Sequence, residues 1–243
     1  EYPSYYKQIL DQIKNKDVAT VSSVKIPKVT NSDVSSAFQV LHNMGMVLYF
    51  ETILPYMVFP KPQLLLDLLY EKVLGKDKKD RLTLSEIQDV IKGNVLKLNS
   101  NDVLSLMLYF DLIFTIPTEK NTYFIPQYLN SPPALIDFFE KHQFSIVNMK
   151  IFGDNYLMSL IMLKIFSRYG KDVKGKETKE YLFWKDGIVI EKDNIIVMLK
   201  FKREEQTIEL YTDTSFSNFD LQLEIVEFVL NIPHEDEKKS KFK

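Results

Sequence analysis

The spacing of apolar residues changes period partway along this chain, and that change limits the fold more than any single motif. Before Pro132-Pro133 the apolar residues recur at helical intervals: Tyr6, Ile9, Leu10 and Ile13; Val34, Ala37, Phe38 and Leu41; Leu65, Leu68, Leu69 and Val73. Beyond it, Val147, Met149 and Ile151 alternate with Asn148 and Lys150, the period of a half-buried strand. The pattern predicts an α+β protein in two parts. Residues 1–131 form a mostly helical part, residues 132–233 an antiparallel sheet flanked by helices, and residues 234–243 a charged tail expected to be disordered.

Local signals fill in the first part. Lys14 to Asn31 reads as a polar connection. Ser32 or Asp33 is placed to cap the next helix and Gly45 to end it. Met46–Phe50 and Tyr56–Phe59 form a small hairpin, and Pro62 opens a helix through Leu74. Lys76 to Arg81 reads as a solvated charged turn. Thr83 and Glu86 match a capping box, for a helix ending near Gly93. A helix over 101–114 and a strand over Thr122–Tyr128 complete a winged-helix-like unit.

In the second part a short helix is expected over Ala134–Lys141, a strand over 144–152 and a helix over Tyr156–Tyr169. Lys171–Lys179 reads as a charged loop. Strands follow at 180–185, 188–191, 195–202 and 206–212. A last helix starts at Ser217, with Asp220 in its cap, and ends before Pro233. The only tryptophan, Trp184, lies in a predicted hairpin, Phe183 to Glu191, closed by an Asp186-Gly187 turn.

Composition excludes several classes. Lys and Arg total 31 against 33 acids, a net charge of −2, which is not the footprint of a general nucleic-acid binder. The prospective groove-reading helix, 101–114, carries only Asp102 and Asp111 as charges, so no nucleic-acid partner is expected. There is no cysteine, hence no disulfide and no thiolate metal site, which suits a cytoplasmic protein. The apolar run Tyr156–Phe166 is too short to span a bilayer. Residue 1 is Glu, which suggests a piece of a longer protein.

No catalytic, metal or cofactor constellation is present. His42, His142 and His234 lack partners at catalytic or metal-ligand spacing, and there is no Gly-rich phosphate loop. Glu204-Glu205 and Glu235-Asp236-Glu237 read as solvated charge in a turn and a tail, with no apolar pocket to shift a pKa. The abundant phenylalanine and tyrosine read as core filling. No enzyme activity and no cofactor are expected.

Several segments resemble one family in order and spacing. Leu41-His42-Asn43-Met44-Gly45-Met46-Val47-Leu48-Tyr49-Phe50 is similar to the "Leu-His-x-x-Gly-x-x-Leu-x-Phe" element of COR domains. COR is the C-terminal-of-Roc module of Roco proteins. Pro60-Lys61-Pro62-Gln63-Leu64-Leu65 resembles that family's "Asp-Pro-Gln-Trp-Leu" junction. Phe124-Ile125-Pro126 with Leu129 is similar to its closing "Pro-x-x-Leu". Phe152–Ile161 stands where the family has an aromatic turn into a long helix, and Phe183–Ile190 resembles its "Trp-Arg-x-Gly-Val-x-Leu" hairpin. The likeness spans about 38–230. Departures are Lys61 and Leu64 for Asp and Trp, Lys185 for Arg, the turn Gly153-Asp154-Asn155, and Leu160 where Arg is common.

The resemblance implies a non-catalytic scaffold. It would have a winged-helix-like COR-A subdomain beside the Ras-like Roc GTPase of the same polypeptide, and a COR-B subdomain that homodimerises. It would relay the GTPase's nucleotide state to dimerisation and signalling. Phe152, Tyr156 and Leu157 are the candidates for GTPase contact. The competing role for these three is the core of the second subdomain. A winged-helix interaction region of another signalling NTPase, of NACHT type, is the alternative.

Overall fold

The computed structural model describes residues 3–75, 78–130, 144–152, 155–171, 181–193, 195–213 and 219–240. The expected helix over Ala134–Lys141, His142 and nearly all of the Lys171–Lys179 loop lie outside the described residues. Two units emerge, and the chain passes between them more than once. One comprises Glu1–Lys79 and Thr83–Phe110, the other Asp80–Leu82 and Asp111–Lys243.

In the first unit, α1 (Tyr5–Ile13) buries Ile9 and Ile13. The stretch read as a polar connection instead holds β1 (Ala19–Thr20) and a 3-10 turn, Val21–Ser23. Its isolated apolar residues Ala19, Val21 and Val24 are core, a role that three residues among polar neighbours do not show as periodicity. β1 pairs antiparallel with β3 (Met57–Phe59), which also pairs with β2 (Leu48–Tyr49), in the order β1-β3-β2. The expected hairpin is thus two strands of a three-stranded sheet.

Helix α2 (Asn31–Asn43) begins earlier than expected. Thr30 is its cap: Asp33 N–H donates to Thr30 Oγ1 (3.2 Å), and Thr30 N–H donates to Asp33 Oδ2 (2.9 Å). Asp33 is therefore the third residue of a capping box and not the cap itself. Gly45 follows at φ 73°, the left-handed conformation that ends helices and that glycine adopts without a Cβ clash. Val34, Ala37, Phe38 and Leu41 pack with Ile9, Ile13, Tyr49 and Val58.

Helix α3 (Pro62–Leu66) continues as a π-helical stretch, Asp67–Leu74, burying Leu65, Leu68, Leu69, Val73 and Leu74. Arg81 does not close a solvated turn; it opens β4 (Arg81–Thr83), which pairs with β5 (Thr122–Phe124). Three residues are too few to show alternation.

Thr83 then caps α4 (Leu84–Ile91) as expected. Glu86 N–H donates to Thr83 Oγ1 (3.2 Å), and Thr83 N–H donates to Glu86 Oε2 (2.8 Å). The bond from Thr83 N–H, seconded by the Lys79 ammonium, lowers the Glu86 pKa from 4.5 to about 2. A folded-state pKa below the unfolded one means stability that is complete above pH 4.5 and is lost as pH falls toward 2. Thr83→Ala is expected to cost about 1 kcal/mol in urea denaturation at neutral pH. Glu86→Gln is expected to flatten part of the acid limb between those two pH values. An unchanged acid limb in Glu86→Gln would show that the box contributes nothing.

Helix α5 (Ser100–Tyr109) ends earlier than the 101–114 span, because Asp111 takes a left-handed φ of 53°. Asn99 caps it, accepting from Asn101 N–H (2.9 Å) and Asp102 N–H (3.0 Å). Asp102 is buried; its carboxylate accepts from Asn99 N–H (3.1 Å) and the Tyr56 hydroxyl (3.3 Å). One of the two acids counted on this helix therefore completes the helix start.

In the second unit, five antiparallel strands lie in the order β6-β10-β9-β8-β7. These are β6 (Phe144–Lys150), β7 (Phe183–Trp184), β8 (Gly187–Lys192), β9 (Ile195–Lys202) and β10 (Thr207–Asp213). Register is set by alternation: Ile188 pairs with Leu199, and Leu199 with Leu210, all in one core. Helices α6 (Asn155–Tyr169) and α7 (Asp220–Ser240) supply Met158, Ile161, Ile165, Phe166, Leu221, Ile225 and Val229 to that same core. Phe114, Phe124 and Leu129 belong to it as well, so residues 111–129 pack with the sheet unit. The predicted strand Thr122–Tyr128 is shorter than expected, with Pro126–Tyr128 turning into a 3-10 helix. Helix α7 runs through Pro233 to Ser240 instead of stopping before the proline, although Pro233 has no N–H to donate.

Candidate interaction site

The junction between β6 and α6 carries the three residues singled out from the sequence, and it separates their roles. Ile151 N–H donates to the Gln206 carbonyl (2.8 Å), which ties the end of the strand to the β9–β10 turn. Lys150 Nζ donates to the Glu205 carbonyl beside it. Phe152, one residue beyond, is 87% exposed. A phenylalanine ring left this far in water has no packing role in its own unit. Tyr156, in the first turn of α6, is half exposed, and its hydroxyl donates to Asp111 Oδ2 (3.3 Å). Leu157 is half-buried and packs against the sheet core. The turn residues Gly153 and Asp154 lie outside the described residues.

Next to Phe152 on β6, Ile146 and Val147 are each about half exposed. β6 is an edge strand of the described sheet, and these two apolar side chains lie on its opposite faces. Periodicity in the sequence placed Val147 with Met149 and Ile151, correctly, on one side of the strand. Only its position at the sheet edge shows that Val147 stays in water.

A polar network ties α6 to α7 and β8. The Tyr169 hydroxyl donates to Glu224 Oε1 (3.0 Å), Arg168 lies 3.5 Å from the same oxygen, and Lys192 Nζ holds Oε2. The Lys192 bond leads in holding the Glu224 carboxyl below its usual range. Burial, with the bond to Glu224, pushes the Tyr169 phenol up to about 12. Arg168 also stacks over the Phe228 ring at 4.4 Å. Arg168, Lys192 and Glu224 are each answered by a partner here, and the arrangement fastens α6 to α7.

Of the other candidates, His42, Glu204 and Glu205 have described side chains. His42 Nδ1 lies 3.4 Å from the Val47 carbonyl, with its ring edge-on to Phe50. Glu204 and Glu205 are exposed in the β9–β10 turn. No group of three or more metal-ligating side chains occurs among the described residues. No helix among them is long and apolar enough to cross a membrane.

Trp184, whose surroundings the sequence left open, is 4% exposed. It packs with Leu182, Val189 and Met198 on the sheet face opposite the two helices. The turn after it is also not the Asp-Gly turn expected: Trp184 pairs directly with Gly187, which leaves Lys185-Asp186 as the loop and Gly187 as the first residue of β8.

A family model described as the C-terminal of Roc, COR-A domain, matches residues 4–129, just over half of the chain. No curated protein gives a significant match. The matched segment takes in the whole first unit from Ser4 onward and runs on through β5 into the second.

Proposed function

Because this chain belongs to the COR-A (C-terminal of Roc) family, and so is a GTPase-associated module of Roco type, we propose that it is a non-catalytic relay. In this role it couples the nucleotide state of a Ras-like Roc domain to self-association. Residues 1–131 act as COR-A, with a winged-helix-like arrangement, and residues 132–233 act as COR-B and form the homodimer contact. The reading places the protein in the cytoplasm, in signalling.

The observation that carries it, beyond the family match, is Phe152, exposed at a junction that hydrogen bonds hold to the sheet. An exposed aromatic ring is the kind of anchor that dominates protein interfaces. Phe152 and Tyr156 supply the contact with the GTPase domain, and Leu157 supports them from the core side. Nothing in the comparisons favours a NACHT-type neighbour.

Titration of the full chain with its Ras-like domain, loaded with GDP or a GTP analogue, tests the relay. Phe152→Ala is expected to weaken binding at least tenfold, on the order of 1.4 kcal/mol or more. Unchanged affinity in Phe152→Ala would remove this residue from the interface. Sedimentation equilibrium at rising concentration tests self-association, and a strict monomer at high micromolar concentration would count against it.

A further inference from the structure

We propose that β6 is a self-pairing strand, on whose outer edge a second copy of this chain docks antiparallel through its own β6. The inference rests on the reading of residues 132–233 as the homodimer contact, and it names the element that makes that contact. β6 pairs with β10 without a bulge, from Phe144 opposite Asp213 to Lys150 opposite Thr207. One step beyond, Ile151 N–H donates to the Gln206 carbonyl, so the odd-numbered residues of the strand turn their backbone groups toward β10. The N–H and C=O groups of Ile146, Asn148 and Lys150 therefore point the other way, and no described strand pairs with that side. Natural sheet edges are commonly closed by charge, proline, a bulge or shortness. Ser145 to Met149 carries no charge and no proline, and Ile146 and Val147 are half exposed on opposite faces.

An outward row of alternating donors and acceptors is matched by another strand, and the residues of β6 say whose. Laid antiparallel on itself about Val147, β6 sets Ile146 opposite Asn148 of the copy, Ser145 opposite Met149 and Phe144 opposite Lys150. In this register outward backbone groups meet outward backbone groups, Ile146 with Asn148 in each direction. Val147 faces its own copy as a non-hydrogen-bonded pair, the closer of the two spacings. On the other face the two Ile146 side chains lie diagonally across the new ladder. A two-fold contact sets a patch against itself, so any charge at its centre would meet its own copy. Lys150, the one charge of β6, lies at the strand end and falls opposite Phe144, so no like charges meet. Both half-exposed apolar side chains are thereby covered.

The chain has no cysteine, so a single introduced thiol reads the register. Val147→Cys and Ser145→Cys are each made in the full chain, incubated with oxidised glutathione and run on a non-reducing gel. Val147→Cys is expected to form a disulfide with its own copy, because a non-hydrogen-bonded cross-strand pair lies within disulfide reach. Ser145→Cys is expected to remain uncross-linked, since its copy is offset by the span from Ser145 to Met149, about 13 Å. Two further variants are followed by sedimentation equilibrium. Asn148→Pro removes an outward N–H and no bond to β10, and Val147→Lys sets two ammonium groups face to face. Each is expected to raise the dimer dissociation constant about tenfold or more. Circular dichroism and Trp184 fluorescence check that each variant keeps its fold. Equal cross-linking of the two cysteine variants, cross-linking of neither, or a dimer that Asn148→Pro and Val147→Lys leave unchanged overturns the proposal. If the native chain still dimerises in that case, the homodimer reading stands and only its placement on β6 falls. A native chain that stays strictly monomeric overturns both.

Discussion

Phe166→Ala is expected to destabilise the second unit by about 3–5 kcal/mol, the cost of deleting a fully buried aromatic ring. Phe166 is wholly buried, and its ring lies 5.5 Å from Phe114, 5.5 Å from Phe183 and 6.0 Å from Phe201. It therefore joins α6 to two strands and to the Phe114–Phe124 bridge in one cluster. None of these rings can close the void by a simple rotamer change, because each is held by neighbours of its own. The single tryptophan lies in this unit, so indole fluorescence during urea denaturation reports its unfolding. A midpoint lowered by about 1 M or more is expected. A loss below about 1 kcal/mol would show that the cluster refills, and that the ring is not the keystone described here.

Gly187→Val is the second large effect, and its cause is space, not backbone conformation. A Cβ at this position would overlap Trp184 Cζ2, and would lie 2.6 Å from Trp184 Cε2 and 2.7 Å from the Leu199 carbonyl oxygen. The carbonyl is backbone of the β8–β9 ladder, where Ile188 pairs with Leu199, so it yields only if the ladder opens. The indole must then leave its pocket. Overpacking of this kind costs about 1–3 kcal/mol, and the valine belongs at the upper end or beyond. Near-UV circular dichroism of the lone indole should lose its fixed signal in step with the stability loss. Trp184→Ala in the same chain is expected to recover part of that loss. A double-mutant coupling of about 0.5–3 kcal/mol measures the clash directly. Simple additivity would show that the indole is not what the side chain meets.

How much of this was legible in the sequence varies with the kind of signal. The periodic segments were: α2, the π-continued helix from Pro62, α6 and the run β8 to β10 lie close to where apolar spacing put them. The Thr83–Glu86 box was legible too, because it is a local exchange of hydrogen bonds between fixed positions. Two short strands were not. β1 has two residues and β4 three, and a pairing made with a partner far along the chain leaves no local period. The Trp184 hairpin shows a different limit. Asp-Gly correctly signalled a hairpin, yet the glycine is there to admit an indole ring, a contact that only the register reveals.

The surroundings of the candidate interaction residues were half legible. The resemblance named Phe152, Tyr156 and Leu157 together, while the difference between exposed Phe152 and core-packed Leu157 depends on where the sheet edge falls. The same holds for α7. Its two apolar rows are both present in the residue pattern, and a pattern alone does not say which row meets the sheet.

The short visit of Asp80–Leu82 to the second unit, between two stretches of the first, bears on how the molecule is made. The backbone crosses from one unit to the other three times, at 79/80, 82/83 and 110/111. During synthesis β4 leaves the ribosome well before its partner β5 at Thr122–Phe124. The chain between the two stretches of the first unit thus carries a strand whose ladder only later translation can complete. No single proteolytic cut frees the second unit whole. A truncation placed at Phe110 strands β4 without a mate and exposes its edge. The stretch that interrupts the first unit in sequence therefore finds its strand partner only in residues translated later.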